Sequence, residues 1–242
     1  MILKIIKHLV KLFGINIQKY NPANVEEEQI IFLLSKHNID VVIDIGANVG
    51  QYGLMLRKLN YDKRIISFEP ISECYEMLKR NKGTDNLWDI YKIAAGDFDG
   101  TSQINISNNL VSSSLLKPHE KLPMYDDGIR TVKTETITVS KLDSFFGNRT
   151  IGDSIYLKID VQGFERETLE GGLGFLKSIK VIQVESSLSS FYNKGSKIED
   201  IMSLLRDQGF LPYNFIKGVK NNSTGQLFEV DIFFVREQFV IS

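Results

Sequence analysis

Val41-Val42-Ile43-Asp44-Ile45-Gly46-Ala47-Asn48-Val49-Gly50-Gln51-Tyr52 decides the fold. Four β-branched apolar residues and a single acid over residues 41–45 read as a strand buried on both faces, the pattern of a parallel sheet covered by helices. The turn bracketed by Gly46 and Gly50 leads into a helix with Tyr52, Leu54, Met55, Leu56 and Leu59, the opening unit of an α/β sheet. Working outward, residues 64–68 repeat the apolar run and stop at Glu69-Pro70. A helix with Cys74, Met77 and Leu78 inward then ends at Asn81-Lys82-Gly83. A third strand is expected near residues 88–94, followed by the turn Gly96-Asp97-Phe98-Asp99-Gly100. Alternating Thr, Ile and Val make strands of 101–106 and 131–139, around a polar insert over 107–130 whose length marks a binding loop or disorder.

Regular alternation resumes with a strand at 155–160, a helix from about Phe164 and a strand at 181–185. A further helix carries Ile198, Ile201, Met202, Leu204 and Leu205 on one face and ends at Gly209. Strands at 211–216 and 227–235 are joined by too short a link for a crossover, so they are antiparallel.

The rest of the composition sets limits. With 29 basic and 30 acidic residues the chain has no basic excess for nucleic acid, and its one cysteine, Cys74, excludes an intrachain disulfide and a thiolate-only zinc site. A reducing, cytoplasmic compartment follows from that cysteine usage. No apolar run reaches the length of a membrane span. Residues 1–20 stand apart, because Lys4, Lys7, Lys11 and Lys19 alternate with apolar residues and no acid is present. Such a segment contacts an anionic membrane surface or a partner chain, or packs on its own domain. The expected organisation is a helical N-terminal extension over 1–38 and one catalytic domain over 39–242.

In an open α/β sheet, ligands bind at the carboxyl ends of the strands. Acids cluster there: Asp44, Glu69, Asp97, Asp160 and Glu185. In the dinucleotide fingerprint G-x-G-x-x-G, the second glycine lets the backbone approach a pyrophosphate. Here Asn48 holds that position, and Asp44 places negative charge nearby. Both features suit S-adenosylmethionine, which has a sulfonium, an ammonium and no phosphate. Glu69 is placed to accept hydrogen bonds from both ribose hydroxyls, although an acid there also serves NAD sites.

The run over 42–52, then Ser67-Phe68-Glu69-Pro70, Ala95-Gly96-Asp97, Leu142-Asp143, Lys158-Ile159-Asp160-Val161-Gln162-Gly163-Phe164-Glu165 and Val184-Glu185 resembles the FkbM-type methyltransferases, in family order over about residues 40–190. The resemblance implies a class I, Rossmann-like S-adenosylmethionine-binding domain, with a seven-stranded sheet, an antiparallel last strand and helices on both faces. It further implies that Asp44, Gly46, Asn48 and Gly50, with Ala47 and Gln51 in the same motif, hold the methionyl end. Glu69, beside Pro70, would take the ribose, with Ala95 and Gly96 beside the adenine and Asp97 on its amine. Asp44 has a second reading, in which it orients the glycine loop from beneath. Family members commonly carry Glu where Gln162 stands.

Methyl transfer to an alcohol needs in-line placement and a base. Asp160, which also borders the cofactor, is the first candidate base, with Lys158 as its partner on the same side of the strand. Glu165 and His119 are further candidates. Ser112, Ser113, Ser114, Glu185 and Tyr192 are the expected acceptor contacts, and hydroxyls with aromatic faces suit a carbohydrate or glycosylated small molecule. No metal-ligand spacing is recognisable, although a cation on Asp160 and Glu185 is an alternative way to acidify a hydroxyl. The competing readings are an NAD(P)-dependent oxidoreductase with a degenerate loop and a non-catalytic binding module.

Overall fold

The computed structural model describes residues 6, 9–14, 21–110, 112–117, 130–147, 151–188, 192–221 and 223–240. Its strands are β1 (Val41–Ile45), β2 (Arg64–Phe68), β3 (Trp88–Tyr91), β4 (Ala94–Ala95), β5 (Gly100–Ser107), β6 (Thr131–Ser140), β7 (Ile155–Ile159), β8 (Ile179–Ser187), β9 (Phe210–Lys217) and β10 (Glu229–Arg236). Seven of them form one sheet in the order β3-β2-β1-β7-β8-β10-β9. The first five in that order are parallel, and β10 runs antiparallel to both β8 and β9. Strand order reverses at β1, whose neighbours are β2 and β7, so a crevice opens at the carboxyl ends of β1 and β7.

Both faces of the sheet are covered, which explains the unbroken apolar runs. Ile43, Ile45, Phe68, Leu157, Ile159, Val184 and Phe234 pack on one side with Leu142, Phe146 and Leu205. Val42, Ile65, Tyr156, Val181 and Phe233 pack on the other with Leu56, Leu78 and Trp88. The helix Glu26–Lys36 buries Ile30, Leu33 and Leu34 against this second face, so the extension is part of the core from residue 26 onward. Its first turn holds Glu26, Glu27 and Glu28, where the positive helix end favours acids.

Three local readings differ from the structure. The helix Ser72–Lys82 buries Cys74 and Leu78 one turn apart, while Met77 falls on its flank and is 40% exposed. The segment over 88–94 is not one strand: the chain leaves the large sheet after Tyr91, and Ala94–Ala95 joins a second sheet in the order β4-β6-β5. The insert is not loop throughout, since Ser114 pairs with β5: Asn105 and Ser114 exchange backbone hydrogen bonds of 2.8 and 3.1 Å. His119 lies outside the described residues.

Candidate active site

A cavity of about 980 Å³ occupies the crevice. Gly46, Ala47, Asn48, Gln51, Glu69, Pro70 and Ala95 line it over β1 and β2, and Lys158, Asp160 and Glu185 line it over β7 and β8. Ser112, Ser113, Ser114 and Tyr192 complete the wall. The structure therefore brings together most of the residues singled out in the sequence. Asp44, Gly50, Gly96, Asp97 and Glu165 are outside this lining.

The loop after β1 is closed on itself. Gly46 and Ala47 N–H donate to the Phe68 carbonyl, Gly50 N–H to the Ala47 carbonyl, Asn48 N–H to Glu69 Oε2 and Val49 N–H to Asn48 Oδ1. Every amide from 46 to 50 is thus committed within the protein, so none is left to cradle a pyrophosphate. The loop's carbonyls suit an ammonium instead. Gly46 is required by the approach of the two strand ends, because a Cβ there would lie 1.8 Å from the Asp160 carbonyl oxygen, at φ +84°. Gly50 serves packing in the same way, against Leu78 and Trp88.

Glu69 is 4% exposed and accepts one 2.8 Å hydrogen bond on each oxygen, from Asn48 N–H and Ile71 N–H. Burial pushes its pKa up to about 7 against the pull of these amides. A carboxylate has about four acceptor positions, so the two left over match a vicinal diol. Phe68, Ile71, Ile93, Ala94, Ala95 and Phe164 provide apolar wall nearby. Asp97 is exposed, whereas Asp99 is the acid that organises this turn, accepting from Ser140 Oγ, Ser144 Oγ and Lys141 N–H.

Asp44 is fully buried and faces Lys158. The β1–β7 register sets Asp44 beside Lys158, and the Lys158 ammonium bridges Asp44 Oδ1 at 3.4 Å and Asp160 Oδ2 at 3.2 Å, above the Tyr52 ring. Burial alone would depress the lysine's pKa, but Asp160 and Asp44 outweigh it and hold the ammonium protonated. Replacing Lys158 with Met leaves Asp44 buried without a cation. Guanidinium unfolding of Lys158→Met is therefore expected to show a loss of about 3–5 kcal/mol.

The Gln162 carboxamide spans Asp160 and Glu185: its Nε2 donates to Asp160 Oδ1 at 2.9 Å and to Glu185 Oε2 at 2.8 Å. Burial works against ionised Asp160, but Lys158 and Gln162 outweigh it and hold this carboxyl below its ordinary value. Burial and repulsion from Asp160 push Glu185 well above its own. The two carboxyls are thus driven apart, with Asp160 the more readily ionised of the two. Tyr192 OH lies 3.1 Å from Gln162 Oε1 and 3.0 Å from the Ser112 carbonyl, and Ser114 Oγ donates to the Gln162 carbonyl at 2.7 Å. Glu165 is buried beneath, its Oε1 accepting from Gly163 N–H at 2.8 Å.

Sequence reasoning did not single out Glu26, Glu27, Tyr52, Glu229 or Asp231, which also line the cavity. Glu229 and Asp231 alternate with Val230 and Ile232 in β10, and acids at a period of two in an apolar strand were the available signal. Glu26 carried none, since acids in a first helical turn are ordinary.

Buried acids give the stability a direction with pH. Burial raises Glu69, Glu165 and Glu229 to about 7 and Asp231 to about 6, and Glu185 is raised as well. Their folded pKa values exceed the unfolded ones, so the folded state holds extra protons across this window and loses stability as pH rises through it. Among the described residues, His37, held below its ordinary value by burial, opposes the trend in that range. Thermal unfolding is expected to show a lower Tm at about pH 8 than at about pH 5.5.

Residues 44–212 match the model of the Methyltransferase FkbM domain. The chain belongs to this family. The 2-O-methyltransferase NoeI of Sinorhizobium fredii is 25% identical over 204 residues, covering 80% of this chain and 82% of that protein. The hexuronic acid methyltransferase AglP of Haloferax volcanii is 24% identical, covering 76% of this chain and 75% of its own. Methyltransferase sdnD of Sordaria araneosa is 28% identical over 54% of this chain, and the match spans only 59% of that protein. Among solved structures, the METTL16 MTase domain superposes with a TM-score of 0.50 at 12% identity, over 94% of this chain and 75% of that one. The sheet order with its reversed strand is the class I methyltransferase fold. S-adenosylmethionine is the cofactor of FkbM proteins. The site fits it: an acceptor-only carboxylate over β2 for a diol, an apolar slot and a loop without amides for phosphate.

Proposed function

We propose that this FkbM protein transfers a methyl group to a hydroxyl of a sugar, glycan or glycosylated small molecule. One observation carries the reading: a single cavity joins the Glu69 carboxylate over β2 to the Asp160–Glu185 pair, bridged by Gln162, over β7 and β8. S-adenosylmethionine supplies a methyl group activated by a sulfonium. Glu69 holds the ribose diol, with Ala94, Ala95 and Phe164 flanking the adenine. Asp97 beside Gly96 stays the proposed contact for its amine, and the glycine loop over Gly46, Ala47 and Asn48 would hold the methionyl end. Catalysis then rests on holding the acceptor oxygen in line and taking its proton.

Asp160, fixed by Lys158 and Gln162, stands with Glu185 as the proton acceptor, and Asp44 keeps Lys158 in place from below. Gln162 Nε2 occupies the bridge between the two carboxylates, the position a cation on that pair would take. Ser112, Ser113, Ser114, Tyr192 and the aromatic faces of Tyr52 and Phe228 suit a polyhydroxyl acceptor with apolar C–H faces. The printed activities of NoeI and AglP support an acceptor of this class. The committed loop amides count against the oxidoreductase reading. The lone buried thiol of Cys74 suits the cytoplasm as the place of action.

The test is transfer of a labelled methyl group from S-adenosylmethionine into a glycan extract of the source cell. Label released as a methylated sugar after hydrolysis is the expected result. Cofactor binding without any transfer would favour the non-catalytic module.

A further inference from the structure

The family match ends at residue 212 and begins at 44, yet the cavity wall draws Glu26 and Glu27 from before it and Glu229 and Asp231 from after it. In sheet order these residues flank the β7–β8–β10 side, with Glu69, just past the end of β2, at the other end. The acceptor end is therefore walled in part by segments outside the matched region.

We propose that Glu26 and Asp231, coupled through Gln183, set acceptor specificity and select a sugar carrying a protonated amine over one carrying a carboxylate. This rests on the sugar-methylation reading above. Asp231 lies directly opposite Glu185 in the β8–β10 register, an arrangement of like charges that costs sheet stability. Among the described residues, neutral groups donate the hydrogen bonds to these acids. Gln183 Nε2 donates to Glu26 Oε1 at 2.7 Å and to Asp231 Oδ1 at 2.9 Å, while its Oε1 accepts from Tyr52 OH at 2.9 Å and Tyr156 OH at 2.8 Å. Because two hydroxyls fix the carbonyl end, the amide end has to face the carboxylates. Gln162 spans Asp160 and Glu185 in the same way.

Among the described residues, the cations on the cavity wall are Lys158, committed to Asp44 and Asp160, and the exposed Lys220. The acids Glu26, Glu27, Asp160, Glu185, Glu229 and Asp231 outnumber them. Burial and repulsion from neighbouring acids raise Glu229 and Asp231 above ordinary carboxylates, and the counter-charge acting on them is limited to a lesser pull of Lys158 on Asp231. An ammonium on the acceptor supplies that charge, whereas a uronate adds to the repulsion. The specificity is thus opposite in sign to an acceptor such as the hexuronic acid in the name of AglP.

The test compares initial rates on four matched methyl glycosides: glucosaminide, glucoside, N-acetylglucosaminide and glucuronide, with saturating S-adenosylmethionine and the full chain. The expected kcat/KM is highest for the glucosaminide, by roughly tenfold or more over the glucoside, and lowest for the glucuronide. In Glu26→Gln combined with Asp231→Asn, the glucosaminide-to-glucoside ratio falls toward one, with S-adenosylhomocysteine binding as the check on folding. A glucuronide used as well as the glucosaminide by the unaltered protein overturns this inference and leaves the sugar reading standing. Methylation of none of the four overturns both.

Discussion

Glu69→Gln is expected to weaken S-adenosylhomocysteine binding by roughly 10²- to 10⁴-fold, as two hydrogen bonds to a charged acceptor are worth about 3–6 kcal/mol together. The side chain keeps its size, so the loss comes from chemistry. One carboxylate oxygen becomes an NH₂ group that opposes either Asn48 N–H or Ile71 N–H, both of which donate to Glu69 at 2.8 Å. The same residue gives the unaltered protein a pH dependence of binding. With its carboxyl pushed up to about 7, the ionised acceptor is depleted below that value, so affinity rises as pH increases through it. Calorimetry across this range should show that slope in the unaltered protein and its disappearance in Glu69→Gln. Equal affinity for both proteins would remove Glu69 from the cofactor site.

Asp160→Asn is expected to lower kcat by about 10²- to 10⁴-fold, the usual contribution of a positioned base. Cofactor affinity should change only a few-fold, because the asparagine keeps an oxygen toward Lys158 and Lys158 keeps Asp44 as its partner. Glu185, raised by burial and by Asp160, is also expected to give the unaltered protein an activity that climbs with pH beyond the ordinary carboxylate range. The acidic, ascending limb of the kcat profile would read that ionisation, and it should shift to lower pH in Asp160→Asn, where the repelling charge is gone. A variant with full turnover would place the proton elsewhere.

The sheet was legible because each parallel strand is covered on both sides, which leaves apolar runs such as Val41–Ile45 and Ile155–Ile159 with chemistry only at their ends. The approximate positions of Glu69, Asp160 and Glu185 followed from that rule alone. What each acid does was not legible, since it depends on register. Asp44 turns inward to Lys158 because β1 and β7 pair in parallel with those two residues side by side. Asp97 and Asp99 are equivalent as turn formers in sequence, and only the positions of Ser140 and Ser144 decide which one is bonded. The break between Tyr91 and Ala94 was hidden because the chain changes sheets without a glycine or proline. Glu26 reaches the cavity through tertiary packing of its helix, and no local pattern marks that.

The most direct measurement is the linkage of the transferred group. An isotope-labelled methyl from S-adenosylmethionine, followed by NMR of the glycoside product, should give a methyl ether on a ring or exocyclic oxygen. A methylated nitrogen, a methyl ester, or no transfer by protein that binds S-adenosylhomocysteine would contradict hydroxyl methylation at the Asp160–Glu185 pair.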